Sequence, residues 1–372
     1  MQELIERVLF LQHVGNTIGR SLREALAELF FGFERDLRRA DPTGVQARYR
    51  LARREAFMAR TRERVRRWLP PTTEGLRDAL TGLGRQQAVA VHDDLIATLG
   101  TFDLEGRVRE TPLTRARMRA ILTTDPFEGR VLKDHGTRLG ANIVDRVGVQ
   151  VRLGMAREEP IDDIVRRIRG RRVAGSRAFT GGVMQTTTRD AEGLVRTAVT
   201  FTAARGMLET FRENASILEG VQYVATLDDR TTLICLSLDG TVWDLDDPEI
   251  IVPGEATHWG CRSTLIGLPD WKKLGLTEPP AADRVVRDLS TVSDEDLLRT
   301  VRARRRSGGF GDVERISSNT AAAEWLRRQR PAVQNRIFGK GRAELFRNGE
   351  VTLKDLVTKD FRTVSLAELS VN

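Results

Sequence analysis

The chain's only two cysteines sit in polar, turn-rich surroundings, where side chains able to do chemistry collect. The stretch "TLDDRTTLICLSLDG", residues 226 to 240, holds Asp228, Arg230, Thr231, Cys235 and the turn-forming Asp239-Gly240 pair. The second cysteine follows in "HWGCRSTL", residues 258 to 265, with His258 and Arg262 beside Cys261. Two thiolates and an imidazole are zinc ligands, and the H-x-x-C spacing lets His258 and Cys261 reach one ion from a single turn. Asp228 or Asp239 then supplies the fourth corner of a tetrahedron. Three other readings stand beside this one. Cys235 has no C-x-x-C partner and lies among Leu233 and Leu236, so both cysteines equally suit small buried hydrophobes, with His258 a hydrogen-bonding loop residue. Asp228, Asp239 and His258 suit a magnesium nuclease that activates water, but no second histidine is near. Asp228 and Arg230, flanking a turn, also suit the satisfaction of buried backbone groups. The expectation drawn from these is a structural clasp that brings Cys235 within about 7 Å of His258 or Cys261.

Short elements must position such a clasp. "VQYVATL", residues 221 to 227, is rich in β-branched and aromatic residues and predicts a strand ending at Asp228. "TTLICLSL" predicts one or two helical turns closed by Asp239-Gly240, and "TVW" and "CRSTLIGL" predict further strands. "DLDDPEIIVPGEATHWG", with prolines at 248 and 253, reads as the surface loop that returns His258 and Cys261 to Cys235. The result is a small α+β module over residues 221–275. Upstream, Leu194, Ala198, Phe201, Ala204, Leu208 and Phe211 fall on one face of a strong helix over 189–213, expected to pack on the module.

The rest of the chain reads as helical, which makes the fold class mainly α-helical α+β. The N-terminal 150 residues predict two or three long helices, with a stop at Pro70 and Pro71. "EEPIDDIVRRIRG" predicts a short amphipathic helix with Pro160 at its first position, an Ile161, Ile164, Val165 and Ile168 stripe, and an end at Gly170. Residues 175 to 188 predict a loop. A proline-containing connector follows residue 267, and the remainder predicts helix. There Ser293 with Asp296, Thr352 with Asp355, and Ser365 with Glu368 have capping-box spacing, Gly349 closes a helix, and "SGGFGD", 307 to 312, is a flexible break. Three regions result: helical 1–150, a domain over 151–275, and a basic helical region over 276–372.

With 372 residues, 40% of them hydrophobic, the chain can bury a substantial core. It has no run of eighteen apolar residues, and "MQELIERVLF" carries two glutamates where a signal sequence would be apolar, so a soluble, unexported protein is expected with no membrane contact. Two cysteines are too few for a disulfide scaffold. The net charge of +8 is uneven: residues 1–69 carry +6, residues 299–347 carry +9, and residues 221–275 carry −5. Only 6 of the 60 basic residues are lysine, and arginine suits bidentate contacts with carboxylate or phosphate, although a GC-rich genome gives the same bias. Arg302, Arg304, Arg305 and Arg306 are the candidates for sequence-independent DNA contact, without an aromatic stacking platform among them. Elsewhere the charges are expected to form solvated faces and ion pairs on helices.

"TLDDRTTLICLSLDGTVW", then Pro253, then "HWGCRSTL", resembles the signature of the phage minor head protein family named after the F protein of phage Mu. In that family a D-x-R-T element, a cysteine, a D-G turn and a closing P-x-H-x-x-C-R element recur in this order. The likeness falls on Asp228, Arg230, Thr231, Cys235, Asp239, Gly240, Pro253, His258, Cys261 and Arg262. Two departures are visible. Many members have further cysteines just before Cys235 and after Arg262, where this chain has Thr232 and Ser263, and Pro253 lies farther from His258 than in the family pattern. The likeness runs from about residue 155 through the 189–213 helix and, more loosely, to about residue 365. It implies a non-enzymatic head protein, in the head interior near the portal after assembly in the host cytoplasm. Such a protein aids head assembly or DNA packaging and delivery, with portal or major capsid protein and packaged DNA as partners. The 1–150 region would then serve in docking on portal or capsid. No cofactor is expected beyond a structural zinc. The alternative function class is a metal-dependent nuclease or toxin-like effector, since the family's module also occurs joined to toxin domains.

Overall fold

The computed structural model describes residues 2–43, 47–110, 113–174, 179–278, 283–287, 289, 313–317 and 320–369. Among these residues it has 12 α-helices and three small antiparallel sheets, the mainly helical α+β class read from the sequence. No described helix is long and apolar enough to cross a membrane. The chain divides into two compact units, one of residues 12–83 and 114–202, the other of residues 1–11, 84–113 and 203–372.

The first unit is built on α1 (Gln2–Ala40), α2 (Ala47–Gly100), α3 (Arg115–Thr124), α4 (Leu132–Ala156), α5 (Ile161–Arg169) and the start of α6 (Gly182–Glu213). In α1, Leu26, Phe30, Phe33 and Leu37 recur at three- and four-residue steps and are wholly buried. Helix α2 corrects the sequence expectation, because it runs through Pro70 and Pro71 without stopping. An interior proline removes a backbone donor and costs about 3 kcal/mol. Both prolines lie on the exposed side, where the carbonyls they leave without donors can meet water. The buried side is held by α4, whose Gly136 and Gly140 present no side chain. A Cβ at Gly136 would stand 2.8 Å from Thr73 Oγ1, and one at Gly140 would stand 3.0 Å from Val65 Cγ1. That close approach grips α2 before and after the proline pair.

Two smaller corrections belong to this unit. Pro160 is the N-cap of α5, one position earlier than expected; Ile164, Val165 and Ile168 are buried and Gly170 ends the helix. The loop expected through Thr188 gives way at Gly182, where α6 begins. The Gln185 side-chain carbonyl accepts the Gly181 N–H at 2.9 Å, and Val183 and Met184 are buried, so the first turn is both capped and packed. Between the two helices lies a minimal ribbon of β1 (Arg171–Arg172) and β2 (Phe179–Thr180). Arginines on this unit pair within it: Arg23 with Glu192 at 2.6 Å, Arg146 with Asp190 at 2.6 Å, Arg64 with Asp36, and Arg119 with both Glu74 and Asp78.

The second unit receives the C-terminal part of α6. Its six predicted core residues are buried, but so are Val195, Val199, Ala203 and Met207 on other faces, so the helix is surrounded rather than half-exposed. The module it packs on is a three-stranded antiparallel sheet, ordered β4 (Val242–Trp243), β3 (Leu218–Val224), β5 (Thr264–Pro269), with α7 (Leu233–Leu238) between β3 and β4. Tyr223 pairs with Leu265 and Val221 with Gly267, and Gly267 leaves room for the Phe211 ring, which a Cβ there would meet at 2.8 Å. Helix α8 (Trp271–Leu274) follows β5.

The C-terminal region corrects the expectation of helix alone, since β6 (Asp283–Arg287) and β7 (Val313–Ser317) pair antiparallel. The alternation that marks them is only five residues long in each, too short to outweigh the helix caps around it. Then come α9 (Ala322–Arg327), α10 (Pro331–Phe338), α11 (Lys340–Asn348) and α12 (Leu366–Leu369). Gly349 closes α11 in the left-handed conformation. Ser365 and Glu368 cap α12 reciprocally at 2.7 and 3.3 Å. The Asp355 carboxylate accepts from Thr352 over a single 3₁₀ turn, not a longer helix. Ser293, Asp296, "SGGFGD" and Arg302, Arg304, Arg305 and Arg306 lie outside the described residues.

Candidate functional site

The site is built on the last residues of β3 and the turns after it. Val221, Tyr223 and Ala225 alternate into the core, which sends Tyr223 inward, wholly buried. The chain then turns at Asp228, whose carboxylate accepts the Arg230 N–H at 2.9 Å and the Thr231 hydroxyl at 3.0 Å, while the Thr231 hydroxyl also reaches the Thr226 carbonyl. Thr232 caps α7 by accepting the Cys235 N–H, and α7 carries Cys235 to the core side. At its end Asp239 and Gly240 form the two central residues of a type II turn, with Gly240 at φ 81°. Asp239 accepts the Ala225 N–H at 2.8 Å with one oxygen and, with the other, the Ala322 N–H at 3.1 Å at the start of α9. The return loop turns at buried Pro253 and Gly254, then makes a second type II-like turn from His258 to Cys261, with Gly260 at φ 74°.

These turns bring the two motif segments together at two joined points. At the first, Arg262 donates two parallel hydrogen bonds to Asp228, at 2.5 and 2.8 Å, and Arg230 adds a third at 3.4 Å. Asp228 is wholly buried. Burial pushes its carboxyl up, but the charge and hydrogen bonds of Arg262, with those of Arg230, outweigh burial and hold it well below the usual carboxylate range. The Thr226 hydroxyl donates to the Arg262 carbonyl at 2.9 Å, which ties β3's end to β5's start.

At the second point, Cys235 Sγ lies 2.9 Å from His258 Nε2 and 3.7 Å from Cys261 Sγ, both cysteines being buried and not joined in a disulfide. The Tyr223 hydroxyl stands 3.2 Å from Cys235 Sγ and 3.6 Å from Cys261 Sγ. The His258 Nδ1–H donates to the Trp259 carbonyl at 3.1 Å, which turns Nε2 toward the thiols. Burial pushes the Cys261 thiol up, but hydrogen bonds from Cys235 and His258 outweigh it and bring the group well below the ordinary thiol value. Hydrogen bonding to Cys261, with burial, drives Cys235 well above it. Burial, with the nearby Cys261 and Cys235, likewise raises Tyr223.

Among the described residues, one group of three metal-capable side chains has its ligand atoms within 4.8 Å of one another: Cys235, His258 and Cys261. Asp228 and Asp239 are not in it; the first is engaged by arginines, and the second caps Ala225 and Ala322. The nuclease trio of Asp228, Asp239 and His258 is thus not assembled around one point among the described residues. Tyr223, Thr226 and Ser263 were not singled out from the sequence. Tyr223 carries a signal, being one of two tyrosines and on the inward phase of a strand, whereas the hydroxyls of Thr226, on the Arg262 carbonyl, and of Ser263, on Tyr223 and Cys235, are placed by turns that spacing does not reveal.

Residues 145–266 match the family described as Phage Mu protein F like protein, a segment that contains α6, β3, β4, the first half of β5 and every residue of the two motif segments. The resemblance read from the motif holds over that segment, which is similar to the domain of this phage head morphogenesis family. The stretch from residue 267 to about 365 lies outside the match. No curated protein and no solved structure matches the chain.

Proposed function

We propose that the protein is a minor structural component of a tailed-phage or phage-like head, held in the head interior near the portal, where it aids assembly or the packaging and delivery of DNA. A phage-head role is supported by the family match over residues 145–266. The observation that carries the finer reading is that the family's motif residues serve here to lock turns: Asp228, Arg262, Asp239 and the thiols bind one another or the backbone, as in a rigid docking body. The long helices of residues 1–150 supply docking surface for portal or major capsid protein. The basic flanks, Arg302, Arg304, Arg305 and Arg306 among them, meet DNA through phosphates. The role is non-catalytic.

Co-expression with the portal and major capsid proteins of the same genome tests this. The chain should co-purify with portal-containing assemblies at low copy number, and heads formed without it should be aberrant or fail to deliver DNA. Its own DNA affinity should fall by at least about tenfold between 50 and 200 mM salt and be indifferent to sequence. Normal, infectious heads without the chain, or strong preference for one DNA sequence, would overturn the reading.

A further inference from the structure

We propose that Cys235, His258 and Cys261 form a zinc-class metal site, with solvent in the fourth position, that fastens the return loop to α7. The two sulfurs and the imidazole nitrogen converge within 4.8 Å although the residues come from two segments more than twenty positions apart. Two thiolates on one tetrahedral zinc, each bound at about 2.3 Å, stand about 3.8 Å apart; the observed separation is 3.7 Å. The sulfur-to-nitrogen edge of the same tetrahedron is about 3.6 Å, against 2.9 Å here, so the imidazole backs away by a fraction of an ångström when an ion enters between them.

The surroundings suit a cation held by thiolates. His258 Nδ1 donates to the Trp259 carbonyl, the outer hydrogen bond that fixes a metal-bound imidazole's orientation and leaves Nε2 as donor. Two thiolates and a divalent ion sum to zero charge, so the filled site burdens the buried core with no net charge. Both cysteines bind as thiolates, their protons leaving to solvent as the ion enters. The Tyr223 hydroxyl, against both sulfurs, donates a hydrogen bond to the thiolates. His258 is half-buried and Trp259 exposed, which leaves the imidazole side open to water for the fourth position. This proposal concerns the fold's own fastening and stands whether or not the protein docks at a portal.

The test uses the full chain, purified under reducing conditions with zinc in the medium and then desalted. Elemental analysis should find about one zinc per chain. Cobalt added to metal-free protein should give a thiolate-to-cobalt charge-transfer absorption in the near ultraviolet and the intense visible bands of a tetrahedral ion. Cys235→Ser and Cys261→Ser should each remove most of the charge-transfer absorption, and His258→Ala should weaken zinc binding at least about tenfold. Asp244→Asn, an exposed acid on the same module, should leave binding unchanged. If the serine variants do not fold, the parent's cobalt spectrum decides alone. A parent chain without zinc and without the charge-transfer band, or with the weak spectrum of octahedral cobalt, overturns the proposal. So does a parent that air oxidation converts to a Cys235–Cys261 disulfide as readily with zinc as without.

Discussion

At the scale of single residues, buried Asp228 is the carboxylate on which arginines of both motif segments converge. The spacing announced that Cys235, His258 and Cys261 belong together; it also offered Asp228 as a ligand, and only the fold shows Arg262 reaching back 34 positions to claim it. Asp228 should therefore be the more sensitive position. Asp228→Asn leaves Arg262 facing a neutral amide in a mostly buried setting, and should lower stability by about 3 kcal/mol in chemical denaturation. A loss under half a kcal/mol would mean that the ion pair only substitutes for hydration. The pH dependence has a stated sign. Asp228 titrates lower folded than unfolded, so its contribution is complete above the ordinary carboxylate value of 3.8 and is lost as pH falls toward the folded value.

His135, in the other unit, acts at a higher pH. It is buried against Phe127, with Nε2 donating to the Phe127 carbonyl at 2.8 Å, and burial pulls it below 6.5. The unfolded chain then binds the proton first, so stability falls as pH drops below 6.5 toward the folded value. Unfolding midpoints measured from about pH 7.5 to 5 should decline in the parent and decline less in His135→Gln. Parallel slopes would show that another group titrates there.

At the scale of elements, periodicity gave the helices and short signals misled. The stripe of α6 was visible in its apolar spacing, and the strand before Asp228 in its β-branched content. Pro70 and Pro71 read as a stop because a lone helix pays for each missing donor, whereas α4's glycines, distant in sequence, make the continued helix the better-packed state. The β6 and β7 pair was missed because a five-residue strand is defined by its partner. Close helix approach gives a prediction here. In the second unit a Cβ on Gly206 of α6 would stand 2.2 Å from the Gly84 carbonyl oxygen of α2, a backbone atom that no rotamer change can move. Gly206→Ala should cost up to about 3 kcal/mol despite the better helix propensity of alanine. Gly193→Ala, with nothing within 4 Å, should be neutral or mildly stabilising in the same melting experiment. Equal effects would show that α2 and α6 are not in this contact.

At the scale of the whole molecule, the charge pattern and the family domain bear on one another. Many arginines of the first unit pair with acids of that unit, yet residues 1–69 still carry +6 and residues 299–347 carry +9, so a basic surplus remains in both regions. Because Asp228 and Asp239 are engaged and His258 faces thiols, plasmid DNA incubated with the protein and magnesium, manganese or zinc should stay intact; cleavage abolished by His258→Ala would revive the nuclease alternative. The most direct measurement of the central claim is an asymmetric cryo-electron microscopy reconstruction of heads assembled with this chain. The account predicts density for the α6 helix and its three-stranded module inside the shell at the portal vertex, in few copies and absent from heads made without the gene. Heads that contain none of the protein, or that carry it on the outer surface or evenly over the shell lattice, would contradict it.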